Sequence, residues 1–190
     1  MSLSRSARRA ARLLLLAATC AVAAPVAAMT PTATPPGEYQ IKAAYLLNFA
    51  RYVEWPAARL PAGAPLRLCV LGRDPFGGAL AGVEGRQVNG HDVRLRQVES
   101  ADAAVDCHLV FVADSEERRL GLVLRALATR GVLTVSDIDG FAEAGGAVGL
   151  VVEDGRVRFD INLMALARDG LRASSQLLRL GRNVFGHRVP

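Results

Sequence analysis

Few side chains in this sequence stand where chemistry would need them. Cys107-His108 sets a nucleophile beside a base, but neighbours on an extended strand point to opposite faces and cannot form a dyad. The three histidines, His91, His108 and His187, lie far apart with no metal-ligand spacing. Asp137 and Asp139 follow a short apolar run. Carboxylates at the carboxyl end of a strand do acid–base work, hold a cation or cap a helix, and capping is the commonest of the three. Gly72-Arg73-Asp74-Pro75-Phe76-Gly77-Gly78 follows a strand pattern, where free backbone N–H groups could receive a phosphate. It has neither the dinucleotide fingerprint nor a P-loop lysine, so a tight strand-to-helix turn is the better reading. The glycines of Gly145 to Gly149 precede a strand, on the wrong side for that task, and Ser174-Ser175 reads as a helix cap. The residues therefore assign no catalytic group, no metal site and no cofactor. They leave Asp74 and Asp137 as candidates for the ligand-binding edge of a sheet.

The elements that would position these residues alternate. Ile41, Tyr45, Phe49 and Tyr52 recur at helical spacing after Glu38, and Trp55-Pro56 ends that helix. Leu66 to Gly72 reads as a strand, and Asp74-Pro75 as a helix start. Val93 to Val98 alternates like a half-exposed strand, and Cys107 to Ala113 is apolar enough to be buried on both faces. Ser115 to Arg130 reads as one helix capped by Ser115, with acidic residues in its first turn and Gly131 as terminator. Val132 to Val135 is a short strand and Ile138 to Ala144 a short helix. Ala147 to Val152 and Val157 to Ile161 form a hairpin about Asp154-Gly155. From Asn162 the chain reads as helical, with Leu171, Leu177, Leu178 and Leu180 free to pack back. The fold class expected is α/β: a mostly parallel central sheet with helices on both faces, a three-layer sandwich, and an antiparallel hairpin at its edge.

Residues 1–28 have the parts of a secretory signal peptide. Arg5, Arg8, Arg9 and Arg12 precede the apolar run Leu13 to Ala24, and Val26-Ala27-Ala28 offers small side chains for cleavage after Ala28. An apolar core this short falls below the roughly 20 residues that span a bilayer. An uncleaved anchor, or a lipoprotein acylated at Cys20, are the other readings of this segment. Residues 29–37 form a proline-rich linker, and 38–185 the α/β domain. Four of the 23 basic residues lie in the leader, so the net charge of +5 belongs mainly to the part removed. The near-neutral remainder gives no case for nucleic acid, and no later segment would span a membrane once the leader is gone. In an oxidising compartment Cys69 and Cys107 pair most simply as a disulfide, two buried free thiols being the alternative. A sheet in which the first and third strands are neighbours would bring them close.

Six segments in order carry a resemblance: AAYLLNFARYVEWP (43–56), LCVLGRDPFG (68–77), CHLVFVA (107–113), LTVSDIDGFAEAGGAVGL (133–150), RVRFDIN (156–162) and SSQLLRL (174–180). Together they resemble the YfiR family of periplasmic proteins across roughly Tyr39 to Asn183. The resemblance implies a regulator, not an enzyme, that represses an inner-membrane diguanylate cyclase by binding its periplasmic sensory region. That lowers cyclic di-GMP and biofilm formation. It further implies an outer-membrane lipoprotein that sequesters the repressor, and redox sensing through disulfides, of which this chain offers a single pair, Cys69 and Cys107. Phe159, Ile161 and Leu163, and the final helix, are the candidates for the partner-binding surface. A homodimer stays open. The alternative is a periplasmic small-molecule binding module of another signalling or transport system, using the edge near Asp74 and Asp137.

Overall fold

A computed structural model describes residues 37–186; the leader, the linker up to residue 36 and His187 lie outside the described residues. In chain order the elements are α1 (Glu38–Tyr52), β1 (Val53–Glu54), β2 (Leu66–Leu71), β3 (Gln87–Val88), β4 (His91–Val98), α2 (Ala101–Ala104) and β5 (Leu109–Val112). Then come α3 (Leu120–Leu127), β6 (Leu133–Ser136), β7 (Val148–Glu153), β8 (Arg156–Asn162), α4 (Leu163–Arg168), β9 (Arg172–Ala173), α5 (Ser175–Leu180) and β10 (Asn183–Phe185).

Eight strands form one mixed sheet in the order β10-β8-β7-β6-β5-β2-β4-β3, parallel from β4 through β7. The α/β class expected from the alternation holds. Period-2 burial divides the sheet into two cores. Leu66, Leu68 and Val70 of β2 join Leu109, Phe111, Leu133 and Val135 on one face, under Leu46 and Phe49 of α1. Cys69 and Leu71 join Val110 and Val112 on the other, under Val123, Leu124 and Leu127 of α3. Helices therefore cover both faces, as a sheet buried on both sides requires. A small second sheet pairs β1 with β9 and ties the end of α1 to the C-terminal segment.

Four local expectations are corrected. Asp74-Pro75 starts no helix: Asp74 Oδ1 accepts the Phe76 N–H in an Asx turn, and only a 3₁₀ turn, Ala79–Gly82, follows. The segment expected to be one helix from Ser115 is a 3₁₀ turn (Asp114–Arg119) followed by the two-turn α3, and Ser115 Oγ accepts the Arg73 N–H instead of capping. Ile138 to Ala144 makes turns, not a helix, between Gly140 and Gly145, both at positive φ. The C-terminal stretch divides into α4, β9, α5 and β10, because Asn162 and Ser174 each cap a new helix and Gly170 at φ 68° closes the first. As a result the β7–β8 hairpin is not the sheet's edge. Strand β10 lies outside it, parallel to β8, held by the fork of Arg182 on Asp160.

Candidate functional site

The sheet changes direction of growth at β2. The chain passes outward to β4 and then returns to the other side of β2 as β5. This is a topological switch point, where α/β sheets open a crevice at the carboxyl ends of the flanking strands. Such a crevice, about 200 Å³, is lined by Arg73, Asp74 and Pro75 after β2, Asp114 and Ser115 after β5, and Tyr39 from α1. Asp74 is exposed and its carboxylate is engaged by its own turn.

Asp137 follows β6 on the same edge, and Tyr39 connects the two positions: its hydroxyl donates to Asp137 Oδ2 at 3.0 Å. The same oxygen pairs with Lys42 Nζ at 2.5 Å, and Lys42 also meets Glu38 Oε1 at 2.5 Å, one turn earlier on α1. The lysine is only 3% exposed, while Asp137 Oδ1 is buried with no hydrogen-bond partner among the described residues. Burial draws the Lys42 pKa down, but the bonds from Asp137 and Glu38 outweigh it, so the ammonium ends above its ordinary value. Burial and the neighbouring Asp137 carboxylate raise the Tyr39 phenol, keeping it protonated and donating. The sequence reading missed Lys42 because it followed the aromatic stripe. The buried face of α1 is instead Lys42, Ala43, Leu46, Phe49 and Ala50, with Ile41, Tyr45 and Tyr52 packed at its margin. The available signal was the Glu38–Lys42 pair at i,i+4.

The proposed contact residues do not gather on a surface. Phe159 and Ile161 are 2% and 0% exposed, and Phe159 packs its ring edge-on against Phe49 and Tyr45. They are core side chains here, because alternate residues of β8 face α1; Leu163 is half-buried against the same core. The opposite face of β7 and β8 carries Gly149, Val151 and Asp160. There a polar cleft of about 340 Å³ opens between Asp139, Glu143 and Arg182. Among the described residues, the large apolar side chains that do reach solvent are Leu122, Val152, Met164 and Leu180.

Cys69 and Cys107 form a disulfide with Cα atoms 6.0 Å apart, and both are 0% exposed within the second core. It links β2 to the chain two residues before β5. Next to it His108, 1% exposed, is held neutral with its pKa down at about 4, chiefly by burial. Among the described residues, no group of three or more His, Cys, Asp or Glu is placed to hold a metal ion, and no helix is long and apolar enough to cross a membrane.

A family model described as YfiR/HmsC-like matches residues 39–182. Among solved structures, a conserved domain protein from Vibrio cholerae O1 biovar eltor str. N16961 superposes with a TM-score of 0.54 at 8% identity. The match covers 77% of this chain and 60% of that one. This chain thus spans less than two thirds of that protein, and at such identity the likeness is one of fold. The ABC domain in complex with L-Trp from Streptococcus pneumonia reaches a TM-score of 0.46 at 11% identity over 63% of this chain and 55% of that one, too distant to inform function.

Proposed function

The chain belongs to the YfiR/HmsC-like family, and from that premise we propose that it represses an inner-membrane diguanylate cyclase by binding the enzyme's periplasmic sensory region. The family is one of periplasmic regulators of diguanylate cyclase systems and not of catalysts. The observation that carries the reading is the extent of the match, residues 39–182, nearly the whole described domain.

A repressor without catalysis acts by differential affinity: it stabilises the conformation of the cyclase that it binds more tightly, and the shift is limited to that difference. Lower cyclic di-GMP and reduced biofilm formation follow. An outer-membrane lipoprotein that sequesters the repressor would relieve it by mass action. Export through cleavage after Ala28 places the domain where the partner's sensory region lies. Interfaces of this kind rest on a few exposed anchors ringed by polar groups. Met164 of α4 and Leu180 of α5, 70% and 64% exposed, are the anchors proposed in place of Phe159 and Ile161.

The test is co-purification of the mature protein with the periplasmic region of a diguanylate cyclase encoded nearby, with and without reductant. A complex weakened about tenfold or more by Met164→Asp or Leu180→Asp, with folding intact, is the expected result. A complex that survives reductant marks the disulfide as a staple; one lost on reduction marks it as a gate. No complex in either condition overturns the reading. The second reading, a small-molecule binding module, is favoured by the crevice at the switch point, one wall of which is Tyr39, itself bonded to Asp137. Calorimetry showing heat with a small metabolite, lost in Asp137→Asn, would support it.

A further inference from the structure

We propose that Asn89 is a modification site: its side-chain amide cyclises onto the Gly90 nitrogen with loss of ammonia when the β3–β4 hairpin opens, and the carboxylate that results keeps the hairpin from closing again on α1. The folded protein holds the site shut, so the modification records past openings. The inference is independent of the partner proposed above.

Asn89 and Gly90 are the two loop residues of the hairpin, beyond the pairs Gln87–Asp92 and Val88–His91, with φ at 51° and 84°. Two consecutive left-handed residues are what such a turn needs, and Asn-Gly supplies them at little cost. The turn alone would account for the residue types. The side chain does something further: Asn89 Nδ2 donates to the Arg51 carbonyl at 2.9 Å. That oxygen lies in the last turn of α1, where carbonyls lose their helical partners. The loop is thereby tied to the helix end. With Val88 and His91 it walls a crevice of about 170 Å³ whose other side includes Glu54 and Trp55.

Both loop residues are exposed, and the glycine leaves its nitrogen open to approach. Once base takes its proton, the Gly90 nitrogen attacks Asn89 Cγ. A C–N bond forms, the bond to the side-chain nitrogen breaks, and ammonia leaves. Water then opens the cyclic imide at either carbonyl, giving an aspartyl or an isoaspartyl residue at position 89. Attack requires the side chain to leave the Arg51 carbonyl and the turn to give up its fixed dihedral angles, so the closed hairpin protects the site. Opening is within reach because β3 is a two-residue strand at the outer edge of the sheet. A carboxylate at position 89 has no proton to offer the Arg51 oxygen. It also meets the negative end of the α1 dipole and shares the crevice with Glu54. The Arg51 guanidinium is turned to Asn48 Oδ1 at 3.3 Å.

Mature protein is aged in mildly alkaline buffer across a urea series and digested with trypsin. The peptide spanning residues 87–94 is followed for the mass gain of amide to acid, and isoaspartate is measured with protein L-isoaspartyl methyltransferase. Conversion at position 89 is expected to be about tenfold or more slower in the folded protein than in the urea-unfolded chain. It should accelerate at urea concentrations where far-ultraviolet dichroism is still native. The native hairpin bonds the Gly85 and Val93 amides to the Val93 and Arg86 carbonyls. In converted protein isolated from low urea these two amides should lose about tenfold in hydrogen-exchange protection, while Val110 keeps its own. The emission of Trp55, the sole tryptophan, should shift to the red. Asn89→Asp should show both changes without ageing, and the converted protein supplies the same reading where that variant does not fold. Asn89→Gly keeps the turn and should show no mass gain. The proposal is overturned by equal rates in folded and unfolded protein, or by acceleration only as dichroism is lost. It is also overturned by hairpin amides still protected after conversion, by protection lost at Val110 as well, or by a gain that persists in Asn89→Gly.

Discussion

Lys42 lies on the buried face of α1, to one side of the aromatic stripe, and two carboxylates hold it there. Glu38 reaches it from one turn back and Asp137 from the far side of the chain. Removing one member of such a pair leaves the other charge in the interior without a partner, which costs more than the intact pair contributes. Lys42→Met is therefore expected to lower unfolding free energy by about 3–5 kcal/mol, and Lys42→Met/Asp137→Leu to recover most of it. Urea denaturation of the two single variants and the double variant measures this. A cost below about 1 kcal/mol for Lys42→Met would show that water already reaches the pair. The sign with pH follows from the raised lysine pKa: the contribution is complete below the ordinary lysine value and fades as pH rises through the higher folded one. Asp137 was legible as a candidate by its place after a strand; Lys42 and Tyr39 were not, since nothing local says which face of α1 is covered.

At the scale of elements, what separates expectation from structure is how helices stop. The strands emerged close to where their apolar runs lie, and the β7–β8 hairpin turns at Asp154 and Gly155, both at positive φ as a two-residue turn demands. The segment before β7 was read as helical, yet it folds as successive turns that set the Phe141 ring against Gly146. A Cβ at Gly146 would stand 2.1 Å from Phe141 Cε1. Gly146→Ala is thus expected to destabilise by about 1–3 kcal/mol or more, with the loss partly relieved in Gly146→Ala/Phe141→Leu. Thermal midpoints of the four proteins decide it, and an unchanged midpoint in the single variant would mean the ring moves aside freely. The helical period was present in that segment, but Gly140 and Gly145 at positive φ leave no room for consecutive helical turns.

Across the whole molecule the disulfide joins Cys69 of β2 to Cys107 at the entry to the neighbouring β5, 38 residues apart in sequence. Closing a loop of that length restricts the unfolded chain by about 4 kcal/mol in the chain-entropy model. Cys69→Ala/Cys107→Ala should lower the urea midpoint correspondingly. With both sulfurs buried, the native protein near neutral pH should resist thiol reductants; rapid reduction without unfolding would contradict a sealed core. Composition and periodicity by themselves determined the α/β class, the parallel centre and the hairpin, because alternation in strands and helices is written in side chains a few positions apart. The six segments in register determined the family. The adjacency of β2 and β5 turned two cysteines into one bridge, and strand pairing of that kind is a property of the assembled sheet. Tertiary structure alone also moved Phe159 and Ile161 from surface to core and placed β10 outside the hairpin. It alone set Lys42 against an aspartate 95 residues away and His108 between two arginines. Burial and charge pairing depend on what lies across the fold, and neighbours in sequence do not report it.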